Sequence, residues 1–257
     1  MTVEAVVIDR EKCIGCGACA ADCVSNHIEL VEGRAQTLPN RCIECGHCYA
    51  VCPAGAVDMP GYDLAGLDDT LELSEFGADR FLLALESRRS VRRFTAEPVS
   101  DGDIARILEA GRFCPTGSNR QGVHFVVLRE KLAEAETLAR ETFLASGRLA
   151  SLVMNREGNA PDERFFFKGA PLAIAVAGKR GVDPALAAAY MELMAESLGL
   201  GVFYSGYFAY AAQNNAALRD LLGLPAGVED VTTLVIGHGD VSYLRRVPRK
   251  PANIIWR

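Results

Sequence analysis

The feature that most constrains this chain is a repeated cysteine run. Cys13-x-x-Cys16-x-x-Cys19-x-x-x-Cys23 recurs as Cys42-x-x-Cys45-x-x-Cys48-x-x-x-Cys52-Pro53, and only Cys114 lies outside it. In a secreted mini-domain such density would signal disulfides. The N-terminal MTVEAVVIDREKC, however, lacks the basic-then-apolar pattern of a signal peptide, so a cytoplasmic protein with metal-binding thiolates is expected. Zinc would favour two Cys-x-x-Cys pairs across a longer loop and has no use for a third cysteine at the same interval. Three cysteines at intervals of three and a fourth one residue further out suit a polynuclear iron–sulfur centre better.

This is the bacterial ferredoxin run, in which the fourth cysteine of each motif serves the other cluster. The resemblance implies Cys13, Cys16, Cys19 and Cys52 on one [4Fe–4S] cluster, and Cys42, Cys45, Cys48 and Cys23 on the second. Gly15, Gly17 and Gly46 would let the backbone approach the inorganic sulfides and donate N–H groups to them. Val24 stands where such runs often carry proline, which is expected to alter the local backbone without losing a ligand. With all eight sulfur positions filled, His27 and His47 are expected at the surface or behind the ligands.

The remainder of the 257 residues can support a real core, since 49% of the chain is hydrophobic. Residues 1–60 read as a two-cluster domain, 61–80 as an acidic linker, and 81–257 as a second domain. Ser100–Asp103 reads as a capping box opening a helix. Residues 131–144 and 184–198 carry helical patterns, and 123–128, 172–177 and 231–236 read as buried strands. The alternation is not a strict βαβ repeat, so the fold class is α+β. A net charge of −6 with no basic stripe excludes nucleic acid as the main partner, and no apolar run is long enough to span a bilayer.

Three weaker signals fall in the second domain. Arg88-Arg89-Ser90-Val91-Arg92-Arg93-Phe94 follows a predicted helix, and its guanidinium forks and hydroxyl suit a phosphate and a polar ring edge. Alone, it reads more often as a solvated basic face. Pro115-Thr116-Gly-Ser-Asn119-Arg-Gln121 precedes a strand and alone is a turn. Arg245-Arg-Val-Pro-Arg249-Lys250-Pro follows the last strand. Cys114 reads as a buried thiol. His124 and His238 sit at strand ends with no catalytic reading, and Tyr204, Tyr207 and Tyr210 read as packing aromatics that could also donate protons.

Taken in order, RRSVRRF, PTGSNRQ…HFVVL, APLAIAVA, SLGLGVFYSGYF and PRKPANIIW resemble the nitroreductase family of FMN enzymes, and the whole chain resembles the ferredoxin–nitroreductase subgroup. The resemblance implies a three-layer α/β/α second domain that forms an intertwined homodimer with FMN at the interface. Arg88, Arg89 and Ser90, with Arg249 and Lys250, would hold the phosphate and ribityl chain. Arg92 would face the pyrimidine edge, where a cation stabilises the charge that builds on reduction. Pro115, Thr116, Asn119 and Gln121 would reach the flavin, and Ser205 and Gly206 would line its N5 side. Gly122-Val123 departs from the family's Pro-Trp, so the substrate side of that loop differs.

The expected function is an FMN-dependent oxidoreductase that moves electrons through two clusters to FMN and on to a small electrophilic acceptor. A redox protein or NAD(P)H would be the donor. The rival readings are an NAD(P)H-driven FMN reductase with the clusters as a side path, and a non-enzymatic electron carrier or redox sensor. No G-x-G-x-x-G follows a strand, which removes a Rossmann nicotinamide site but not direct stacking of a nicotinamide on the flavin. No catalytic residue is singled out.

Overall fold

The structure is a computed structural model that describes residues 4–39, 42–65, 67, 77–145, 150 and 161–257. The chain divides into two compact units, residues 1–75 with 117–120, and residues 76–116 with 121–257. Half of the expected linker, at 66 and 68–76, lies outside the described residues.

The first unit mirrors its sequence repeat. Each motif contributes one four-residue helix, α1 (Ala18–Ala21) and α2 (His47–Ala50), opened by a left-handed glycine, Gly17 at φ 78° and Gly46 at φ 75°. Strand β1 (Val7–Ile8) pairs antiparallel with β4 (Val57–Asp58), while β2 (Ile28–Val31) and β3 (Arg34–Thr37) form a hairpin. Its two-residue loop has Glu32 at φ 52° and Gly33 at φ 72°, the positive pair a tight primed turn requires. The small core consists of Cys13, Cys19, Ile28, Ala35 and Ala56, with a second patch of Val6, Val57 and Met59. These strands are too short to register as periodic patterns, so composition alone shows only a loop-rich segment.

The second unit is a four-stranded antiparallel sheet, β5 (His124–Leu128), β6 (Leu172–Gly178), β7 (Gly201–Tyr204) and β8 (Asp230–Gly237), in the order β5-β6-β8-β7. Strand β6 is buried throughout. Its large residues, Leu172, Ile174 and Val176, face a cluster with α4 (Asp101–Arg112) and α6 (Val182–Ser197) that includes Ile104, Ile107 and Met191. Its small residues, Ala173, Ala175 and Ala177, face Ala139 and Phe143 of α5 (Leu132–Leu144), Phe208 of α7 (Gly206–Asn214) and Leu218 of α8 (Ala216–Leu222). Period-two alternation of side chains thus creates the expected three layers. Ser100 caps α4, its Oγ accepting from Asp103 N at 3.1 Å and donating to Asp103 Oδ2 at 2.7 Å. Helix α3 (Ala78–Ser87) begins three residues before the expected domain start and buries no side chain.

Candidate cluster and flavin sites

The eight cysteines of the repeat sort into two cavities. Cys13, Cys16, Cys19 and Cys52 line one, and Cys23, Cys42, Cys45 and Cys48 line the other. The fourth cysteine of each motif thus joins the first three of the opposite motif. Backbone amides reach back to the sulfurs at equivalent positions: His27 N donates to Cys23 Sγ at 3.2 Å and Ala56 N to Cys52 Sγ at 3.3 Å. Ala35 N reaches Cys13 Sγ at 3.4 Å, and Glu44 N reaches Cys42 Sγ at 3.3 Å.

The surroundings of the thiols show why they need a cation. Burial pushes Cys48 up to about 11 and also raises Cys19 and Cys42. The Ala35 and Gly15 amides lower Cys13. A buried thiolate must be compensated by hydrogen bonds or by metal. Among the described residues no three His, Cys, Asp or Glu side chains converge closely enough to hold a single ion. Four sulfurs spread around a cavity match a polynuclear group.

In the second unit, Arg92, Ser205 and Gly206 meet at a cavity of about 590 Å³ together with Lys168 and a set of aromatic rings. That volume lies within the ~300–1,000 Å³ usual for cofactor pockets. The run from Arg88 is held by β7: Ser90 bridges Val202, and Val91 N donates to Val202 O at 3.0 Å. With Val91 buried, Arg92 faces out, its guanidinium 5.8 Å from the Phe203 ring centre. Ser205 is buried and donates from Oγ to the Phe166 carbonyl at 2.8 Å.

Sequence reasoning missed two residues of this site. Lys168, at φ 55°, brings its ammonium 4.4 Å from the Phe165 ring centre and lines the cavity. Glu136 on α5, 4% exposed, accepts from Phe166 N at 2.6 Å and Phe167 N at 3.1 Å. Burial pushes its carboxyl up to about 7 against the opposing effect of those two amides. The peptide between Phe166 and Phe167 is therefore clamped at both ends, its N–H by Glu136 and its carbonyl by Ser205. Nothing around Lys168 signals its role, but Glu136 shares helical spacing with Leu132, Ala139 and Phe143, and a carboxylate on that apolar face is the cue.

The other expected flavin residues lie apart from the cavity lining. Arg88 donates from Nη1 to Glu192 Oε1 at 2.6 Å, and Tyr204 Oη donates to Glu192 Oε2 at 3.2 Å. Burial, then the Glu192 charge, raises Tyr204, and the same two effects raise Glu196. Arg89 turns back to the carbonyls of Glu86 and Arg88. Thr116 Oγ1 accepts from Gln121 N at 3.0 Å. Asn119 groups with the first unit, donating from Nδ2 to the carbonyls of Ile43 and Glu44 at 3.2 and 2.8 Å. Pro115 precedes that turn, and Arg249 and Lys250 lie on an exposed tail. Cys114 is buried, its thiol raised mainly by burial.

Comparison with known proteins fits both units. Residues 85–239 match the nitroreductase family, and residues 5–53 match a 4Fe-4S dicluster domain. This chain belongs to the nitroreductase family. It is similar to an NADPH-flavin oxidoreductase of Vibrio harveyi, 31% identical over 177 residues that cover 66% of this chain and 69% of the relative. Among solved structures, a nitroreductase with bound FMN from Desulfitobacterium hafniense is 25% identical, with a TM-score of 0.57, covering 68% of this chain and 98% of its own. A nitroreductase with bound FMN from Bacteroides fragilis shares the fold at 24% identity and a TM-score of 0.60, covering 68% and 97%. Among the described residues no helix is long and apolar enough to cross a membrane.

Proposed function

We propose that this nitroreductase-family protein is a cytoplasmic iron–sulfur flavoprotein oxidoreductase that passes electrons through two [4Fe–4S] clusters to FMN and reduces a small electrophilic acceptor. Nitroaromatics, quinones, activated alkenes or a second flavin fit that description. The observation that carries this reading is the sorting of all eight repeat cysteines into two four-cysteine cavities on a chain that also has the nitroreductase fold. When bound, the clusters exchange single electrons whereas FMN stores two and delivers them as hydride. Joining the two lets a one-electron donor, such as a small redox protein, drive two-electron chemistry.

The residues present fit these groups. Cys13, Cys16, Cys19 and Cys52 would hold one cluster, and Cys23, Cys42, Cys45 and Cys48 the other. Arg92 and Lys168 supply positive charge at the 590 Å³ cavity, favouring an anionic ring edge there. Its aromatic lining, with Phe203, Tyr204 and Tyr207, would offer faces for stacking a planar acceptor or a nicotinamide. Ser205 and Gly206 would border the ring. Arg89, Ser90, Arg249 and Lys250 would surround the phosphate together with Arg88, whose charge is already shared with Glu192. Pro115, Thr116 and Gln121 would approach the flavin from the neighbouring loop, while Asn119 serves the cluster-side turn.

Two exposed apolar elements of the second unit support a homodimer. Leu82 and Leu83 on α3 are 54% and 51% exposed, and Ile255 and Trp256 on the tail are 81% and 88% exposed. Arg246 pairs with Glu86, tying the tail to α3.

Anaerobic purification tests the reading. The expected content is about eight iron and eight sulfide per chain, with FMN, in a dimer by equilibrium sedimentation. Zinc in place of iron, or a flavin-loaded monomer, would contradict it.

A further inference from the structure

The two halves of the cysteine repeat are not chemically equal. Counting four residues on from each fourth cysteine gives His27 after Cys23 and Ala56 after Cys52. The two positions do the same backbone work, each donating its N–H to that cysteine's sulfur, at 3.2 and 3.3 Å. Each is followed by a buried strand residue, Ile28 and Val57. Only the side chains differ. Ala56 presents a methyl group to the cavity of Cys13, Cys16, Cys19 and Cys52. His27 presents an imidazole to the cavity of Cys23, Cys42, Cys45 and Cys48.

That imidazole is 8% exposed, and its Nδ1 is buried with no hydrogen-bond partner among the described residues. An orphaned ring nitrogen in so small an apolar core costs about 1–3 kcal/mol unless something accepts from it or donates to it. His47 lines the same cavity, but its Nδ1 lies 3.1 Å from Asp22 Oδ2 at the surface, so its hydrogen bond is already made.

We propose that His27 donates an Nδ1–H hydrogen bond to the sulfur of the cluster held by Cys23, Cys42, Cys45 and Cys48, and so sets that cluster's reduction potential above its twin's. A donor aimed at the sulfurs stabilises the more negative, reduced state in preference to the oxidised one. The neutral Nδ1–H tautomer suffices, and no protonation change is involved. Electrons shared between the clusters therefore rest on the His27 side, which gives the pair a direction that the near-symmetric cysteine motifs do not.

This inference rests on the two-cluster reading, and the two can fail separately. Iron and sulfide content is measured first on the unmodified protein, because a missing cluster there defeats the cluster reading and this inference with it, whereas intact clusters leave the inference to stand or fall on its own. EPR-monitored redox titration of His27→Ala is then compared with the unmodified protein. One of the two cluster potentials is expected to fall, by about tenfold in the reduction equilibrium constant, or ~59 mV for a one-electron couple. The other is expected to stay put. His27→Gln, which keeps an N–H donor, should recover most of the shift, and His47→Ala should not reproduce it. Both potentials moving together, or neither, with iron content intact, would overturn the proposal. If His27→Ala fails to assemble both clusters, the decisive measurement is on the His47→Ala protein labelled with ¹⁵N-histidine. A weak ¹⁵N coupling in the reduced-cluster signal supports the hydrogen bond, and its absence overturns it.

Discussion

Replacing Glu136 with Gln removes the carboxylate that holds the wall of the flavin-unit cavity. Glu136 accepts from two buried amides, Phe166 N and Phe167 N, at 2.6 and 3.1 Å. A glutamine keeps one carbonyl acceptor and turns an NH₂ toward the other amide, leaving one buried N–H unsatisfied. That costs about 1–3 kcal/mol. Alanine abandons both amides and opens a void, so its cost should be larger, roughly 3–5 kcal/mol by analogy with other buried truncations. The carboxyl also has a pH signature, because burial holds it at about 7 against an ordinary value of 4.5. The folded state then binds more protons than the unfolded state between these values. The stability this contributes is fully present below about 4.5 and is lost as pH rises through about 7. Urea denaturation of the holoprotein from pH 4.5 to 8 should show that decline, no steeper than ~1.4 kcal/mol per pH unit from this one group. Glu136→Gln should flatten it. Hydrogen exchange should accelerate at Phe166 and Phe167 ahead of the sheet amides. An unchanged pH slope, or exchange at these two amides equal to that of the unmodified protein, would refute the clamp.

Other outcomes follow from single observations. Gly15→Ala should lower iron content sharply, because Gly15 sits at φ 71° and a Cβ would lie 2.0 Å from the Gly33 carbonyl oxygen. Gly55→Ala, at φ 56° with open space around it, should cost only the ~1–2 kcal/mol of the left-handed backbone. Cys23→Ser should damage the cluster bounded by Cys42, Cys45 and Cys48 and spare the other, as read by EPR of the reduced protein. Arg92→Ala should lower the flavin midpoint potential while sparing binding of oxidised FMN, with ~30 mV matching ~1.4 kcal/mol for the two-electron couple. Equal losses in both redox states would show that Arg92 does not face the ring edge.

What could be read from sequence depended on whether the signal was local. The cysteine repeat resembles the ferredoxin run closely enough that the crossed grouping was legible from that resemblance. The strand at 172–177 announced itself as a continuous apolar run and that at 231–236 as a β-branched one, each within a residue of the observed bounds, and Ser100 as a cap. Strand β7 was hidden inside SLGLGVFYSGYF, where three glycines obscure a four-residue strand with only three buried residues. The pairing of Arg88 with Glu192 joins residues 104 apart in sequence, and no local pattern encodes such a contact. The same holds for Asn119, whose Gly-Ser-Asn context reads as a turn while its amide serves the carbonyls between Cys42 and Cys45. Glu136 looks like its solvent-facing neighbours Glu134 and Glu141 unless its helical face is traced.

The most direct test of the central claim is the rate of flavin reduction by a one-electron donor, with and without the clusters. Reduced ferredoxin is mixed anaerobically with the intact protein and with a Cys16→Ser/Cys45→Ser variant that retains FMN, and flavin absorbance is followed by stopped flow. Fast bleaching in the intact protein, slowed at least tenfold in the variant, is the predicted result. Equal rates in the two proteins, or bleaching by NADH alone that is indifferent to the clusters, would contradict electron entry through the cysteine unit.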